Sequence, residues 1–248
     1  MKVKIQFLVL AIASLLVAAC DNNGDPKLEG VKMQMKAVAS SSTINGKTNV
    51  TGLTFTDVRL GVEEMEFETD EEDSDEDNSG EDDSEKVEFE GPYTVDLING
   101  TSNPSFGLTD VATGVYNEIE IDVSPVMEDG NSIFIRFTYE GKTYEFSTTE
   151  ELEIEIEDLA GYTVDENTLT NMLVLINLDS LFSGIDLSGA VADEDGVVRI
   201  NDTSNTEITD EILDQFEDSC DAGEDSDDDD DLDEDDDDDD DDSNDDDN

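Results

Sequence analysis

Much of this chain alternates apolar and polar residues. Apolar side chains occupy every second position from Val31 to Ala37, from Ile119 to Val123 and from Leu152 to Ile156. A period of two predicts a β-strand with one buried face. Met172 to Leu178 is nearly all apolar, which predicts a central strand buried on both faces. Short turns such as Asn99-Gly100 separate these segments, and together they predict about nine strands.

The pattern changes towards the C-terminus, where a helical period replaces the alternation. Between Thr206 and Asp218 the apolar residues recur every three to four positions, which predicts an amphipathic helix. Ser204 and Glu207 have the spacing of a capping box at its start. The whole pattern predicts a mainly β domain, an antiparallel β-sandwich over residues 28–218 with one short C-terminal helix. That span is long enough to bury a single core.

Two strongly acidic stretches accompany this domain. The chain has 71 Asp and Glu against 11 Lys and Arg, a formal net charge of -60. Residues 68–85 contain no apolar side chain and lie between Met65-Glu66-Phe67 and Val87-Glu88-Phe89, so we expect a disordered acidic loop at the tip of a hairpin. Residues 219–248 are rich in Asp, and their self-repulsion predicts a disordered tail.

The charge and the composition exclude several classes of function. A surface this acidic repels nucleic acid, so no nucleic-acid partner is expected, whereas divalent cations and basic partners are attracted. High solubility explains the same acidity equally well. The chain has no His, which excludes a Ser-His-Asp site and removes the commonest ligand of transition metals. Catalysis by a pair of carboxylates remains open.

Residues 1–19 have the features of an export signal. A short basic segment precedes an apolar run from Ile5 to Val17, which is short for a membrane span. The run ends in Val17-Ala18-Ala19-Cys20, which resembles the bacterial lipobox. The resemblance implies a mature chain that begins at Cys20, carries acyl chains on that residue and is tethered to a membrane by residues 20–27. An ordinary secretory signal with an incidental Cys is the alternative.

A lipid on Cys20 would place the domain in the bacterial cell envelope, at the outer membrane or the cell surface. The sequence leaves the leaflet open. Cys220 is the other cysteine of the chain, so no intrachain disulfide is expected in the mature form. Because Asp218 and Asp221 stand beside Cys220, we expect a raised thiol pKa and an unreactive thiol.

A longer resemblance joins three segments of the exported part: Leu53 to Val62, Gly91-Pro92-Tyr93-Thr94-Val95-Asp96-Leu97, and Gly114-Val115-Tyr116-Asn117-Glu118-Ile119. Together with the lipobox they resemble an uncharacterised family of bacterial surface lipoproteins that is common in Bacteroidetes. In that family a Y-x-V-D-L strand precedes a G-x-Y-x-x-I strand. The resemblance covers about residues 28–200 and implies a transthyretin-like β-sandwich, with no assigned activity or catalytic residue.

Asp193-Glu194-Asp195-Gly196 is the best single candidate for a calcium loop, because Ca²⁺ takes several oxygen ligands and a Gly allows the sharp turn between them. In the register of an EF-hand, Asp193, Asp195 and Asp202 take ligand positions three, five and twelve. These three residues are therefore the candidate metal ligands. Val191 stands where the first ligand is required, however, and an Asp-Gly turn between short strands explains the same residues.

The leading hypothesis is a lipid-anchored, non-enzymatic binding or structural module that interacts weakly with Ca²⁺ or with basic partners. A carboxylate-dependent hydrolase of envelope or extracellular glycans is the alternative from another class. In a further alternative, the acidic runs themselves buffer cations or bind mineral. A pocket that holds two carboxylates with opposed pKa shifts would favour the hydrolase.

Overall fold

We analysed a computed structural model, which describes residues 30–39, 48–50, 52–68, 87–109, 113–165, 168–226 and 232. Strands dominate these residues, and the helices among them are short. The predicted mainly β class is therefore confirmed. The strands form two hydrogen-bonded sheets.

The smaller sheet has the order β13-β11-β1-β6. Its strands are β1 (Gly30–Val38), β6 (Leu108–Thr109), β11 (Leu169–Asn177) and β13 (Cys220–Glu224). β1 pairs with β11 in parallel along its whole length, and β13 closes the other side of β11. β11 is almost entirely buried, as its apolar sequence predicts.

The larger sheet is organised around one long strand, β3. The sheet consists of β2 (Thr48–Val50), β3 (Leu53–Glu68), β4 (Val87–Asp96), β5 (Thr101–Asn103), β7 (Gly114–Val123), β8 (Ile133–Tyr139), β9 (Lys142–Thr148), β10 (Leu152–Val164) and β12 (Val197–Ile200). On one side of β3, β8 pairs with its first half and β7 with its second half, while β4 pairs on the opposite side. β3 therefore joins two regions of one sheet.

The α-helices of the described residues are short, and both follow β11 in the chain. α1 (Leu178–Leu181) has Asn177 as its N-cap, whose Oδ1 accepts hydrogen bonds from the backbone N–H groups of Asp179 and Ser180. α2 (Thr206–Asp214) confirms the predicted helix. The predicted capping box is wrong: the N-cap is Asn205, in a left-handed conformation and without a side-chain cap, and Ser204 pairs through its backbone with Asn201.

A single apolar core lies between the two sheets. Met33 and Val174 of the smaller sheet belong to the same buried cluster as Met65 and Ile121 of the larger one. The alternation of the sequence produces this arrangement, since it places every second side chain of each strand inside. The two sheets therefore pack as a sandwich around one core.

Two features of the fold differ from the prediction. The sheets are mixed rather than purely antiparallel, because β1 pairs in parallel with β11 and β9 in parallel with β12. The folded domain also continues past residue 218: β13 adds an edge to the smaller sheet, and Asp225 is buried behind it. Apart from residue 232, the predicted tail beyond residue 226 lies outside the described residues, as does most of the predicted loop 68–85.

Candidate functional site

One face of the larger sheet carries rows of carboxylates that run across four neighbouring strands. Their side chains alternate with core residues such as Met65, Ile121 and Ile154, so burial of the apolar residues forces the acidic ones outward. We call this surface the acidic face. Its rows, read in the order β4, β3, β7 and β10, are Glu90, Glu64, Asp122 and Glu153; then Glu88, Glu66, Glu120 and Glu155; then, from β3 onward, Glu68, Glu118 and Glu157.

The carboxylates in these rows approach each other closely enough to share a cation. Three sets of carboxylate oxygens lie within 4.8 Å of one another: Glu64 with Glu66 and Glu88, Glu66 with Glu68 and Glu120, and Glu120 with Asp122 and Glu153. Glu66 and Glu120 each belong to two of the sets. The sets therefore form a connected chain of candidate sites along the face.

The crowding of like charges changes the proton affinity of the face. Partial burial raises the pKa of Glu120, and the charges of Glu153 and Glu66 raise it further. Partial burial followed by the charge of Glu153 also raises the pKa of Asp122. Glu64 behaves in the same way, with burial first and Glu66 next among the causes of its raised pKa. These three carboxylates therefore hold protons more readily than isolated carboxylates do.

The other region of the same sheet shows a balanced arrangement of charges. There a row crosses β3, β8, β9 and β12 in the order Asp57, Arg136, Glu145 and Arg199. Arg136 donates to Glu145 at 2.8 Å, and the Nε of Arg199 lies 3.5 Å from the same carboxylate. Acidic and basic residues alternate in this row, so it needs no outside cation, in contrast to the acidic face.

The three residues predicted as metal ligands separate into two environments. Asp193 and Asp195 flank Arg199, whose guanidinium lies 2.5 Å from the first carboxylate and 2.8 Å from the second. Hydrogen bonding to Arg199 lowers the pKa of Asp195. Arg199 therefore already supplies a positive charge to both carboxylates of the loop, although binding of metal there stays a prediction.

Asp202, the third of these residues, is held by the end of β9 instead. Its Oδ1 accepts a hydrogen bond from the Thr148 hydroxyl at 2.9 Å, and its Oδ2 accepts from the Thr149 hydroxyl at 3.1 Å. The backbone N–H of Thr149 also donates to Oδ2. The three predicted ligands do not meet around one point with their carboxylate oxygens within 4.8 Å of each other.

Of the two cysteines, Cys220 lies within the described residues and is not part of a disulfide. Burial raises the pKa of the Cys220 thiol to about 12, with Glu217 and Asp221 as further causes. The predicted rise in the thiol pKa is therefore confirmed, although burial contributes more to this rise than the neighbouring charges do. The Cys220 thiol donates to the backbone oxygen of Phe216 at 3.3 Å. Cys20 lies outside the described residues. In the part of the chain that the structure describes, no helix combines the length and apolarity of a membrane span.

The acidic face was not identified from the sequence, although a signal for it exists. The segments Glu64-Met65-Glu66-Phe67-Glu68, Glu88-Phe89-Glu90, Glu118-Ile119-Glu120-Ile121-Asp122 and Glu153-Ile154-Glu155-Ile156-Glu157 all alternate acidic and apolar residues. Each segment alone is explained by a solvated strand face. Only the order of the strands in the sheet shows that these segments are neighbours.

Comparison with known proteins adds no relative to this picture. No protein-family model matches the chain, and neither a curated protein nor a solved structure matches it. The resemblance to surface lipoproteins described above therefore stays a prediction. What the geometry itself defines is a mainly β domain with an extended carboxylate surface.

Proposed function

We propose that this chain is a lipid-anchored extracytoplasmic binding module that collects divalent cations, Ca²⁺ in particular, on its acidic face. The observation that carries the proposal is the set of rows in which carboxylates of neighbouring strands stand directly opposite each other. Like charges in directly opposed positions destabilise a sheet. A divalent cation bound between them replaces this repulsion by attraction.

The geometry of the face suits weak, shared coordination. Ca²⁺ takes 6–8 oxygen ligands at about 2.3–2.6 Å, in flexible arrangements. Each set of three carboxylates on the face supplies only part of such a shell from one side, so water completes it. We therefore expect affinities towards the millimolar end. Because Glu66 and Glu120 each serve two sets, neighbouring positions compete for ligands.

The same surface favours Ca²⁺ over Mg²⁺. Mg²⁺ needs a nearly ideal octahedron and releases its water reluctantly, whereas each set of three carboxylates on the face supplies only part of a coordination shell. Ca²⁺ tolerates irregular ligand positions and mixed shells. A stronger response to Ca²⁺ than to Mg²⁺ at equal concentration is therefore expected.

The proposed location at a membrane rests on the Val17-Ala18-Ala19-Cys20 motif. Acyl chains on Cys20 would hold the domain on a bilayer, with the acidic face exposed to the ions outside. Mass spectrometry of the native N-terminus tests this part: we expect a chain that begins at Cys20 and carries acyl groups, and a Cys20→Ser variant that is not acylated. An unacylated native N-terminus would refute the anchor.

The hydrolase alternative receives no support from the acidic face. General acid–base catalysis by two carboxylates needs one with a raised pKa and one that stays ionised. Glu64, Glu120 and Asp122 instead all shift upward. The three pKa values shift in the same direction, whereas an acid and base pair needs pKa values that differ.

Thermal unfolding in millimolar CaCl2, in MgCl2 and in NaCl of equal ionic strength tests the cation part. Two forms are compared: the full chain, and a chain ending at Leu232, which keeps β13 and removes most of the Asp tail. We expect Ca²⁺ to raise the Tm of both forms, and by more than Mg²⁺ does.

Matched variants locate the effect. The double variant Glu66→Gln/Glu120→Gln removes the two shared carboxylates and should lose most of the response to Ca²⁺. Glu128→Gln, which changes an exposed loop carboxylate, should respond as the unaltered protein does. If the response disappears with the tail, or survives in the double variant, the acidic face is not the cation site.

A further inference from the structure

The smaller sheet has one face that points away from the core. Met172, Val174 and Ile176 of β11 belong to the core, and successive side chains of a strand point to opposite faces. Leu173 and Leu175 therefore point to the other face, which we call the outer face. They are nevertheless only 1% and 9% exposed. An open sheet face would leave both side chains accessible, so this part of the outer face is covered.

Part of this cover is Leu232, which lies in the Asp-rich tail. Gly223 stands opposite Leu173 in the pairing of β13 with β11, so the two residues share the outer face. A Cβ atom at Gly223 would lie 3.3 Å from Cδ2 of Leu232. The leucine side chain therefore occupies the space beside the glycine, which has no side chain of its own to fill it. Leu232 is thus brought back against the strand that it follows.

The sequence around Leu232 makes this contact selective. Leu232 is the only apolar residue between positions 224 and 248, where Asp and Glu occupy most of the other positions. Burial of its side chain favours attachment to the sheet, whereas the carboxylates on both sides of it favour water unless they find a positive partner. Leu232 therefore determines where the tail attaches, and the charges beside it determine which surface the tail is able to follow.

The outer face also carries positive charge, on β1. Lys32 and Lys36 alternate with the core residues of this strand, so their side chains belong to the outer face. β1 is the second strand from β13, at a distance of about 9.6 Å, which an extended chain covers in about three residues. Asp221 of β13 adds a negative charge at the opposite edge. Acidic residues that follow Leu232 are therefore directed towards the two lysines and are able to reach them.

We propose that the outer face of the smaller sheet is the docking surface for the chain's own acidic tail, with Leu232 as its apolar anchor and the carboxylates after it bound to Lys32 and Lys36. The tail matches both parts of this surface, because it combines one apolar side chain with a dense negative charge. Its anchor already lies beside Gly223, ahead of any other acidic chain. This docking does not depend on the function proposed for the acidic face, which belongs to the larger sheet.

Paramagnetic broadening of NMR signals tests the docking on the full chain. Asp236→Cys, combined with Cys20→Ser and Cys220→Ala, carries one nitroxide label just beyond the anchor. In about 20 mM NaCl we expect the label to broaden the amide signals of Lys32 and Lys36. Raising NaCl to about 500 mM shortens the Debye length from roughly 20 Å to roughly 4 Å, so the broadening at both lysines should be lost.

Matched variants of the labelled chain separate docking from general attraction between charges. Leu232→Ser removes the anchor and leaves every charge in place, and it should lose the broadening at β1. Lys32→Gln/Lys36→Gln should lose the broadening at the same positions. Lys142→Gln, which changes an exposed lysine of the larger sheet, should keep it. Unchanged amide signals of the larger sheet in Leu232→Ser would show that the fold is retained.

A mixed sample distinguishes the chain's own tail from the tail of a second copy. The spin-labelled chain at natural isotope abundance is mixed with a ¹⁵N-labelled chain that carries no nitroxide. We expect no broadening in this sample, because each tail docks on its own domain. Broadening in the mixed sample, persistent broadening in Leu232→Ser, or unbroadened lysine amides at low salt would each overturn the proposal.

Discussion

Glu66 and Glu120 stand directly opposite each other in the antiparallel pairing of β3 with β7. On its other side Glu120 faces Glu155 of β10. Glu120 thus has a like charge opposite it on each neighbouring strand, which is unfavourable in a sheet unless a cation or proton is present. The consequences of this relationship can be measured.

Replacing Glu120 by Gln should stabilise the fold when divalent cations are removed. Each opposed pair of like charges costs about 0.2–1 kcal/mol, so we expect a gain of about 0.5–1 kcal/mol in the free energy of unfolding. Urea denaturation in the presence of a chelator measures it. A loss of stability would show that Glu120 already has a favourable partner.

Glu145→Gln is the matched control in the balanced region of the same sheet. Glu145 lies between Arg136 and Arg199, so neutralising it leaves the two guanidinium groups without that partner. We expect a loss of about 0.2–1 kcal/mol, since such exposed ion pairs are individually weak. Opposite signs for the two Glu-to-Gln changes, measured in the same buffer, would establish that the regions differ electrostatically.

The stability of the protein should increase on mild acidification. Glu64, Glu120 and Asp122 have pKa values raised above their ordinary values of 4.5, 4.5 and 3.8, chiefly by burial and then by their acidic neighbours. A raised pKa means that the folded state binds protons more readily than the unfolded state. Their contribution is therefore fully present below the ordinary values and is lost as the pH rises through the raised ones.

Thermal melts between pH 7 and about pH 4.5 in chelator test this dependence. The Tm should rise as the pH falls through this window, and the rise should be smaller in Glu66→Gln/Glu120→Gln. Carboxylates such as Asp195, whose pKa is lowered by Arg199, lose their contribution only at lower pH. A Tm that falls steadily from pH 7 would contradict the interpretation.

Phe137→Ala should destabilise the core strongly. The ring of Phe137 is stacked on Tyr144 at 5.0 Å and packs against Phe55 and Phe182 at 5.5 Å and 5.1 Å between centroids. The side chain is fully buried, so its removal leaves a cavity that costs about 3–5 kcal/mol. Urea unfolding measures the loss. A cost under 1 kcal/mol, as for an exposed residue, would contradict this placement of β8.

The Cys220 thiol should react slowly in the folded protein. Its pKa of about 12 leaves little thiolate at pH 8, and the thiolate is the reactive form. A chromogenic disulfide reagent should modify it much more slowly in native buffer than in urea. Equal rates in the two conditions would mean that the thiol is exposed. Cys20→Ser removes the other thiol from the assay.

Local features of the fold were predictable because neighbouring residues determine them. The turn predicted at Asn99-Gly100 is confirmed: it joins β4 to β5, and Gly100 has a positive φ angle of 61°. The two arms predicted around residues 68–85 do pair, as Phe67 faces Val87. The period of two and the turn residues contain this information.

The candidate site depends on contacts between distant segments, which alternation does not specify. Glu155 reaches the acidic face because β10 pairs with β7 and β7 with β3. The ion pair between Arg199 and Asp195 was not predicted either, although Arg199 follows Asp195 by only four residues. β12 places this basic side chain between the two carboxylates of the Asp-x-Asp pattern, a contact that the pattern itself does not specify.

The position of β1 affects the order in which the molecule is able to assemble. Its partner along its whole length, β11, is made much later in synthesis, and the β13 strand that flanks β11 comes last. β1 therefore cannot complete its sheet until the chain has been synthesised through β13. Folds dominated by such distant pairing form slowly. An emerging chain accordingly remains unfolded for longer than one built from successive hairpins, and its apolar strands stay accessible to other molecules during that time.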